Sequence, residues 1–221
     1  MKTVEAILEI IRASRGIDFS AYRPATAARR IRYRIRERDL PDAEYVRSLK
    51  EDEQEINRLI SILTIKESSF FRNPPVYQLV LDTVIPDLAS RKNMIYLWSA
   101  GCAMGEEPYS MGILIAEFRE RQSTGLRCFI YASDVDANII ELARRAVYSK
   151  EAVRNAPKEY VRKYFTKTPC VSAHRLRDYE YELAPAVKAD IFFDTIDLSG
   201  DLGQVPFSGF DIILCRNLLI Y

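Results

Sequence analysis

An apolar run of β-forming residues, Ile95-Tyr96-Leu97-Trp98, stops at a small-residue turn holding Gly101 and Gly105, and a helical pattern opens at once with Pro108 in its first turn. Proline is tolerated there because the N–H it lacks would have no intrahelical partner. Strand, glycine turn and helix in direct succession form the unit from which an open parallel sheet builds a ligand crevice at the carboxyl end of its first strand. No other stretch limits the possible folds so tightly. The helix begins on Glu106 and Glu107. A pyrophosphate needs bare N–H groups at that place, and two carboxylates would repel it. The turn therefore reads as a site for a partly cationic ligand.

From this turn onward strands and helices alternate. A strand is expected over 95–99 and a helix over 106–121, with Met111, Leu114, Ile115 and Phe118 on its apolar side. A second strand, 127–133, closes on Asp134, followed by a helix over 137–146 and a punctuated helical stretch over 148–166. A third strand, 192–196, closes on Asp197, and a fourth spans 210–215. Such alternation predicts a parallel sheet covered on both faces. Between 168 and 190 a polar alternation through Val171, Leu176, Tyr179, Tyr181 and Leu183 predicts a small antiparallel insertion.

Residues 1–63 read instead as a small all-helical domain. Val4, Ile7, Leu8 and Ile11 recur at helical spacing, and helices are also expected over 25–38, 41–50 and 53–63. The second helix carries Arg29, Arg30, Arg32, Arg34, Arg36 and Arg38 against one acid, Glu37. At 3.6 residues per turn, Ala28, Ile31 and Ile35 form a narrow apolar stripe. Arg29, Arg32 and Arg36 flank one side of it; Arg30, Arg34 and Arg38 flank the other. Two readings stand for this rail: docking of an acidic partner, or a solvated face salt-bridged to the Glu51-Asp52-Glu53 cluster.

The linker over 64–75 holds more chemistry than a spacer needs. Asn73-Pro74 reads as the N-cap and first residue of a helix that buries Val76, Leu79, Val80 and Val84. Phe70 and Phe71 are expected to wedge between the helical and α/β parts. Arg72 would then sit at the seam near the crevice, or else in a surface ion pair at a helix end.

Composition removes several function classes. The 221 residues carry a net charge of +1, so no global field draws the chain to nucleic acid, and no apolar run is long enough to span a bilayer. Cysteines 102, 128, 170 and 215 are widely spread without a CxxC pair, which favours a reduced cytoplasmic protein over a disulfide framework or zinc site. His174 is the single histidine and reads as a surface residue of the insertion; its isolation argues against chemistry built on a histidine pair or triad. Cys102 reads as a small space-filler; Trp98, Phe129 and Tyr131 read as strand packing.

At the strand ends, the crevice collects residues 101–107, Asp134, Asp197 with Leu198, and Arg216, Asn217 and Tyr221. An acid closing the second strand suits a ribose diol, although it could also be only a helix cap. The turn is Gly-x-x-x-Gly rather than G-x-G-x-x-G, with acids where phosphates would lie, which argues against a nicotinamide dinucleotide. S-adenosylmethionine has a ribose, an α-ammonium group and a sulfonium, and no phosphate.

These residues carry a resemblance. The stretch Trp98-Ser99-Ala100-Gly101-Cys102-Ala103-Met104-Gly105-Glu106-Glu107-Pro108-Tyr109-Ser110 resembles the first motif of the CheR-type chemotaxis methyltransferases. Ser68-Ser69-Phe70-Phe71-Arg72, Ala132-Ser133-Asp134-Val135-Asp136 and Cys215-Arg216-Asn217-Leu218-Leu219-Ile220-Tyr221 are similar to further motifs of that family, in the same order. The resemblance implies a helical domain over 1–63, a linker over 64–75 that contributes to the active site, and a Rossmann-like S-adenosylmethionine-dependent methyltransferase domain over 76–221. It implies methyl transfer to glutamate side chains on the cytoplasmic helical region of chemoreceptors, with S-adenosylhomocysteine as product. It assigns cofactor contacts to Lys66, Ser68, Arg72, Glu107, Asp134, Asp197, Leu198, Arg216 and Asn217. Arg72 and Tyr221 correspond to residues that position the accepting carboxylate and assist transfer, and Arg29, Arg32 and Arg36 to a substrate-binding surface.

The chain departs from the family pattern in places. Lys66 and Ser68 stand where the commoner linker has Asn and Thr, and Asp197 where many relatives have Asn. Family members continue beyond the position of Tyr221, so a C-terminally truncated sequence is expected. The 168–190 insertion contains no glycine for the tight turn of a receptor-tail clamp, and tail-peptide tethering is not expected. A non-catalytic module that holds cofactor or receptor is the alternative to an enzyme.

Overall fold

The computed structural model describes residues 2–19, 24–63, 68–169, 179–198, 205 and 207–216. Two hydrophobic cores hold these residues. The first belongs to α1 (Lys2–Arg15), α2 (Pro24–Glu37), α3 (Asp42–Ser48) and α4 (Glu53–Leu63). Ile7 and Ile11 of α1 meet Ile31 and Ile35 of α2 and Ile56, Leu59, Ile60 and Leu63 of α4 around Tyr45 and Leu49. The buried stripe of α2 is Ala27-Ile31-Ile35, a straight run at intervals of four; the expected Ala28 stands only half-buried beside it.

This helical core encloses one charge. Glu55 has no exposed surface, and its carboxylate is met by Arg34 Nε at 2.8 Å, Arg34 Nη2 at 2.7 Å and the Tyr45 hydroxyl at 2.6 Å. Burial alone would raise its pKa. The forked guanidinium and the phenol outweigh burial and hold the carboxyl below the usual carboxylate range.

The second core lies in the α/β part. Strands β1 (Met94–Ala100), β2 (Arg127–Asp134), β6 (Ile191–Thr195) and β7 (Ile212–Leu214) form a parallel sheet in the order β6-β2-β1-β7. Helix α7 (Glu106–Gln122) crosses from β1 to β2, and α8 (Ala137–Arg145) leaves the end of β2. The chain steps outward from β1 on one side, then returns with β7 on its other side. That reversal opens a crevice at the carboxyl end of β1.

Several elements differ from the sequence expectation. The helix after the linker runs as α5 (Pro74–Leu79), a π-helical turn (Val80–Val84) and α6 (Ile85–Arg91). It buries Tyr77, Val80, Leu81 and Ile85; Val76 and Val84 are half-buried and Leu79 is 59% exposed. Tyr77 sets this face, because its ring packs edge-on against Phe71 at 5.2 Å. Asn73 adopts a left-handed φ of 66° and makes no side-chain capping bond, so it is not the expected Asx cap.

Phe70 and Phe71 do not wedge between the two parts. Both are buried within the α/β core. Phe70 contacts Tyr148 and Phe165 edge-on at 4.7 and 5.0 Å, and its N–H donates to the Ala152 carbonyl. The linker is thereby stitched to a small antiparallel sheet, β3 (Val147–Tyr148), β4 (Phe165–Pro169) and β5 (Tyr179–Leu183), in the order β3-β5-β4. The expected insertion is thus partly built from residues read as helical. Only α9 (Lys158–Tyr164) is helix there, and α10 (Pro185–Lys188) leads back to β6. β-branched and aromatic residues at 165–168 have a partner strand in β5, which outweighs their local helical pattern. Residues 170–178, including Cys170 and His174, lie outside the described residues.

Candidate cofactor site

The glycine turn is shaped by backbone requirements. Gly101 and Gly105 have φ of 72° and 86°. At Gly105 a Cβ would also meet Tyr109 Cε2 at 3.0 Å and Phe193 Cζ at 3.2 Å, so no other residue fits without displacement. Four N–H groups of the turn are already used. Gly101 and Cys102 donate to the Ser133 carbonyl at 2.8 and 2.9 Å, Gly105 to the Cys102 carbonyl at 3.0 Å, and Ala103 to Asp134 Oδ2 at 2.9 Å. In a phosphate-binding turn these donors would face the ligand. Here the ligand would meet acceptors.

The two glutamates at the start of α7 part company. Glu107 turns to the crevice, where Ser99 Oγ donates to Oε1 at 2.8 Å and Arg216 Nη1 lies 3.8 Å from Oε2. Burial raises its pKa, and Ser99, Arg216 and Arg72 oppose that without cancelling it. Glu106 turns instead to the linker, where Ser68 hydrogen-bonds it. It is 3% exposed, its Oε2 has no hydrogen-bond partner, and burial pushes its pKa up to about 7. Asp134 is also raised by burial, although both its oxygens accept backbone N–H groups, from Asp136 at 3.1 Å and from Ala103. Three desolvated carboxylates thus lie around one turn, each more basic than in water.

The capping role left open for Asp134 belongs to another residue. Asp136 is the N-cap of α8, accepting from Asn138 at 3.0 Å and Ile139 at 3.4 Å. Asp134 braces the turn and keeps acceptor capacity, since a carboxylate offers about four lone-pair sites.

Arg72 and Arg216 meet at the linker. Arg216 Nη2 donates to the Arg72 carbonyl at 2.7 Å, its Nη1 to the Tyr77 hydroxyl at 3.3 Å, and its guanidinium lies 5.5 Å from the centre of the Tyr77 ring. Arg72 is half-buried and close enough to Glu107 to act on its ionisation. The structure therefore brings Arg72, Glu107 and Arg216 into one group. Asp197 and Leu198 stand half-buried just past β6, and Asp197 Oδ2 accepts from the Asp18 N–H at 3.2 Å. Lys66, Asn217 and Tyr221 lie outside the described residues. Cys102 is buried and its thiol is pushed up by burial, which suits a space-filler and not a nucleophile.

The arginine rail divides by role. Arg34 is spent on Glu55 and Glu37, and Arg30 donates to the Ile62 and Leu63 carbonyls at the end of α4, at 3.0 and 2.8 Å. Arg29, Arg32 and Arg36 are exposed and make no ion pair among the described residues. The expected partnership with Glu51-Asp52-Glu53 does not form: Glu53 pairs with Arg15, and Asp52 accepts the Glu55 N–H. Sequence reasoning missed Ser99, Tyr77 and Asp136. Only Asp136 carried a legible signal, as an aspartate directly ahead of a helical pattern.

The donor set tests which cofactor fits. Acceptors in excess, four turn N–H groups turned to protein acceptors, and a carboxylate at the end of β2 suit a ligand with positive charge and a ribose diol but no phosphate. S-adenosylmethionine meets all three conditions.

Comparison with known proteins agrees. Residues 2–64 match the all-alpha domain of CheR methyltransferases, and residues 66–221 match their SAM binding domain. The chain is 31% identical over 219 residues to an uncharacterized 104.1 kDa protein of Rhodobacter capsulatus, covering 97% of this chain and 22% of that protein. It is 28% identical over 186 residues to a chemotaxis protein methyltransferase of Borreliella burgdorferi, covering 80% of this chain and 62% of that protein. With the chemotaxis protein methyltransferase of Escherichia coli it shares 30% identity over 221 residues, 97% of this chain and 72% of that one. The chain thus spans less than two thirds of the first two relatives. With both domain matches in register with the two cores, the chain belongs to the CheR methyltransferase family.

Proposed function

We propose that the protein transfers a methyl group from S-adenosylmethionine to glutamate side chains of a chemoreceptor's cytoplasmic helical region. In this reading, residues 1–63 present the substrate surface, 64–75 close the active site and 76–221 hold the cofactor. S-adenosylmethionine supplies a methyl group on a sulfonium; its passage to a carboxylate oxygen leaves a methyl ester and S-adenosylhomocysteine.

The protein's share of this chemistry is charge complementarity and alignment. Glu107 would hold the cationic end of the cofactor, and Asp134 the ribose diol. Asp197, Leu198, Ser68, Lys66 and Asn217 would complete the contacts. A glutamate carboxylate is already a nucleophile, so no base has to be generated; holding it in line is the main requirement. Arg72 would fork onto that carboxylate, with Tyr221 donating a further hydrogen bond. Arg216 keeps the Arg72 backbone in place through its bond to the carbonyl. Arg29, Arg32 and Arg36 lie exposed on α2 and suit an acidic helix.

One observation carries the reading: desolvated carboxylates surround a glycine turn whose Gly101, Cys102, Ala103 and Gly105 N–H groups are already occupied. Titration calorimetry with S-adenosylhomocysteine and with NAD tests it, and binding of the former alone is expected. Binding of NAD alone would overturn it. Labelled methyl transfer to receptor fragments then tests turnover; cofactor binding without label on any of several receptors would leave a binding module.

A further inference from the structure

The helical domain reaches the cofactor crevice through a chain of hydrogen bonds. Ser61 of α4 donates from Oγ to Asp136 Oδ2 at 2.8 Å. Asp136 is 2% exposed and uses its other oxygen to cap α8. Its N–H donates to Asp134 Oδ1, and Asp134 Oδ2 accepts from Ala103 in the glycine turn. Val135, between the two aspartates, packs against the helical core. The last residue of β2 and the two after it therefore divide in duty: Asp134 to the crevice, Val135 and Asp136 to the helical domain. A second tie joins the same parts, since the Asp18 N–H reaches Asp197 and the Ile196 N–H reaches the Asp134 carbonyl at 3.0 Å.

We propose that Ser61 is a positioning residue of the cofactor pocket: by holding Asp136 it lets the helical domain fix the orientation in which Asp134 receives the ribose diol. This rests on the reading of Asp134 as a cofactor ligand. The physical basis is preorganisation. A carboxylate already held by neighbours loses less freedom when a ligand arrives, so its hydrogen bonds contribute more to affinity. Ser61 touches no cofactor itself and acts through Asp136. The all-helical domain is thereby part of the binding site as well as a substrate surface.

The test is calorimetry of the full chain with S-adenosylhomocysteine, for wild type, Ser61→Ala, Ser61→Thr, Asp134→Ala and the Ser61→Ala/Asp134→Ala double variant, each at a temperature where circular dichroism shows it folded. Ser61→Ala should bind about fivefold more weakly, the low end of couplings between linked sites. Ser61→Thr should restore affinity, because it returns the hydroxyl. In the Asp134→Ala background the Ser61→Ala loss should vanish, the non-additivity expected of residues acting through one another. Wild-type affinity in Ser61→Ala, no rescue by Ser61→Thr, or additive losses would each overturn the inference while leaving the cofactor reading intact. A wild type that does not bind S-adenosylhomocysteine would sink both.

Discussion

Two parts of this molecule bury carboxylates and treat them in opposite ways. In the helical core Glu55 is fully enclosed and fully answered by Arg34 and Tyr45, and its pKa is held down. Around the glycine turn Glu106, Glu107 and Asp134 are enclosed with too little positive charge beside them, and all three are raised. A charge serving the fold is neutralised within the fold. The charges around the glycine turn are left under-compensated within the fold, and for Glu107 and Asp134 the proposed cofactor would supply partners. The Glu106 Oε2 atom, buried without a partner, marks the extreme of this second treatment.

The sharpest way to break the comparison is to remove Arg34. Arg34→Ala leaves Glu55 buried with only the Tyr45 hydroxyl bonded to it and Arg58 at 3.9 Å, and urea denaturation should show a loss of about 3–5 kcal/mol. A loss below about 1 kcal/mol, the worth of an exposed pair, would mean that Glu55 is not truly enclosed.

Glu106→Gln should act in the other direction. Burial raises the folded pKa of Glu106 to about 7, above its unfolded value, so the folded state favours the protonated form. Its contribution is fully present below the unfolded pKa and is lost as the pH rises through about 7. Glu106→Gln should therefore stabilise the protein at pH 8 by up to about 3 kcal/mol and flatten the pH dependence of the thermal midpoint between the unfolded pKa and 7. Glu55 has the opposite sign: its depressed pKa gives stability that is lost as the pH falls below the ordinary carboxylate range. Matching pH profiles for Arg34→Ala and Glu106→Gln would erase the distinction.

Glu107→Gln separates ligand from fold. It should weaken S-adenosylhomocysteine binding by about 1.5–3 kcal/mol, the worth of a charge-assisted hydrogen bond, with unchanged or higher thermal stability. Lost stability with intact affinity would reassign Glu107 to the fold. The smallest effect on folding is expected at the outer arginines. Reversing Arg32 and Arg36 to Glu should change stability by no more than about 0.5 kcal/mol, because both are exposed and neither is in an ion pair among the described residues. The same change should impair receptor methylation while sparing cofactor binding. Full methylation would make this face merely solvated.

Much of this was legible in the chain itself. Helical spacing of apolar residues placed α1, α2 and α4, and the apolar run into the glycine turn placed β1 and α7. The conflict between Glu106-Glu107 and a phosphate ligand was already visible. The arginine rail and its two sides were visible, but the partners that Arg30 and Arg34 find on α4 were not. Arg30 and Arg34 differ from Arg29 and Arg32 only in which neighbouring helix lies beside them, and nothing local encodes that neighbour. The strand at 165–169 was missed for the same kind of reason: its pairing partners lie ten or more residues further along the chain, in β5. The linker phenylalanines were recognised as packing residues and assigned to the wrong interface.

By itself, then, the sequence determined most of the elements, the acidic character of the glycine turn and the family to which the motifs point, because these depend on residue type and short spacing. Tertiary structure decided which of several chemically identical groups became structural and which stayed available. That choice follows from burial and from partners distant in sequence: an arginine or carboxylate has its role set by the charge it meets after folding.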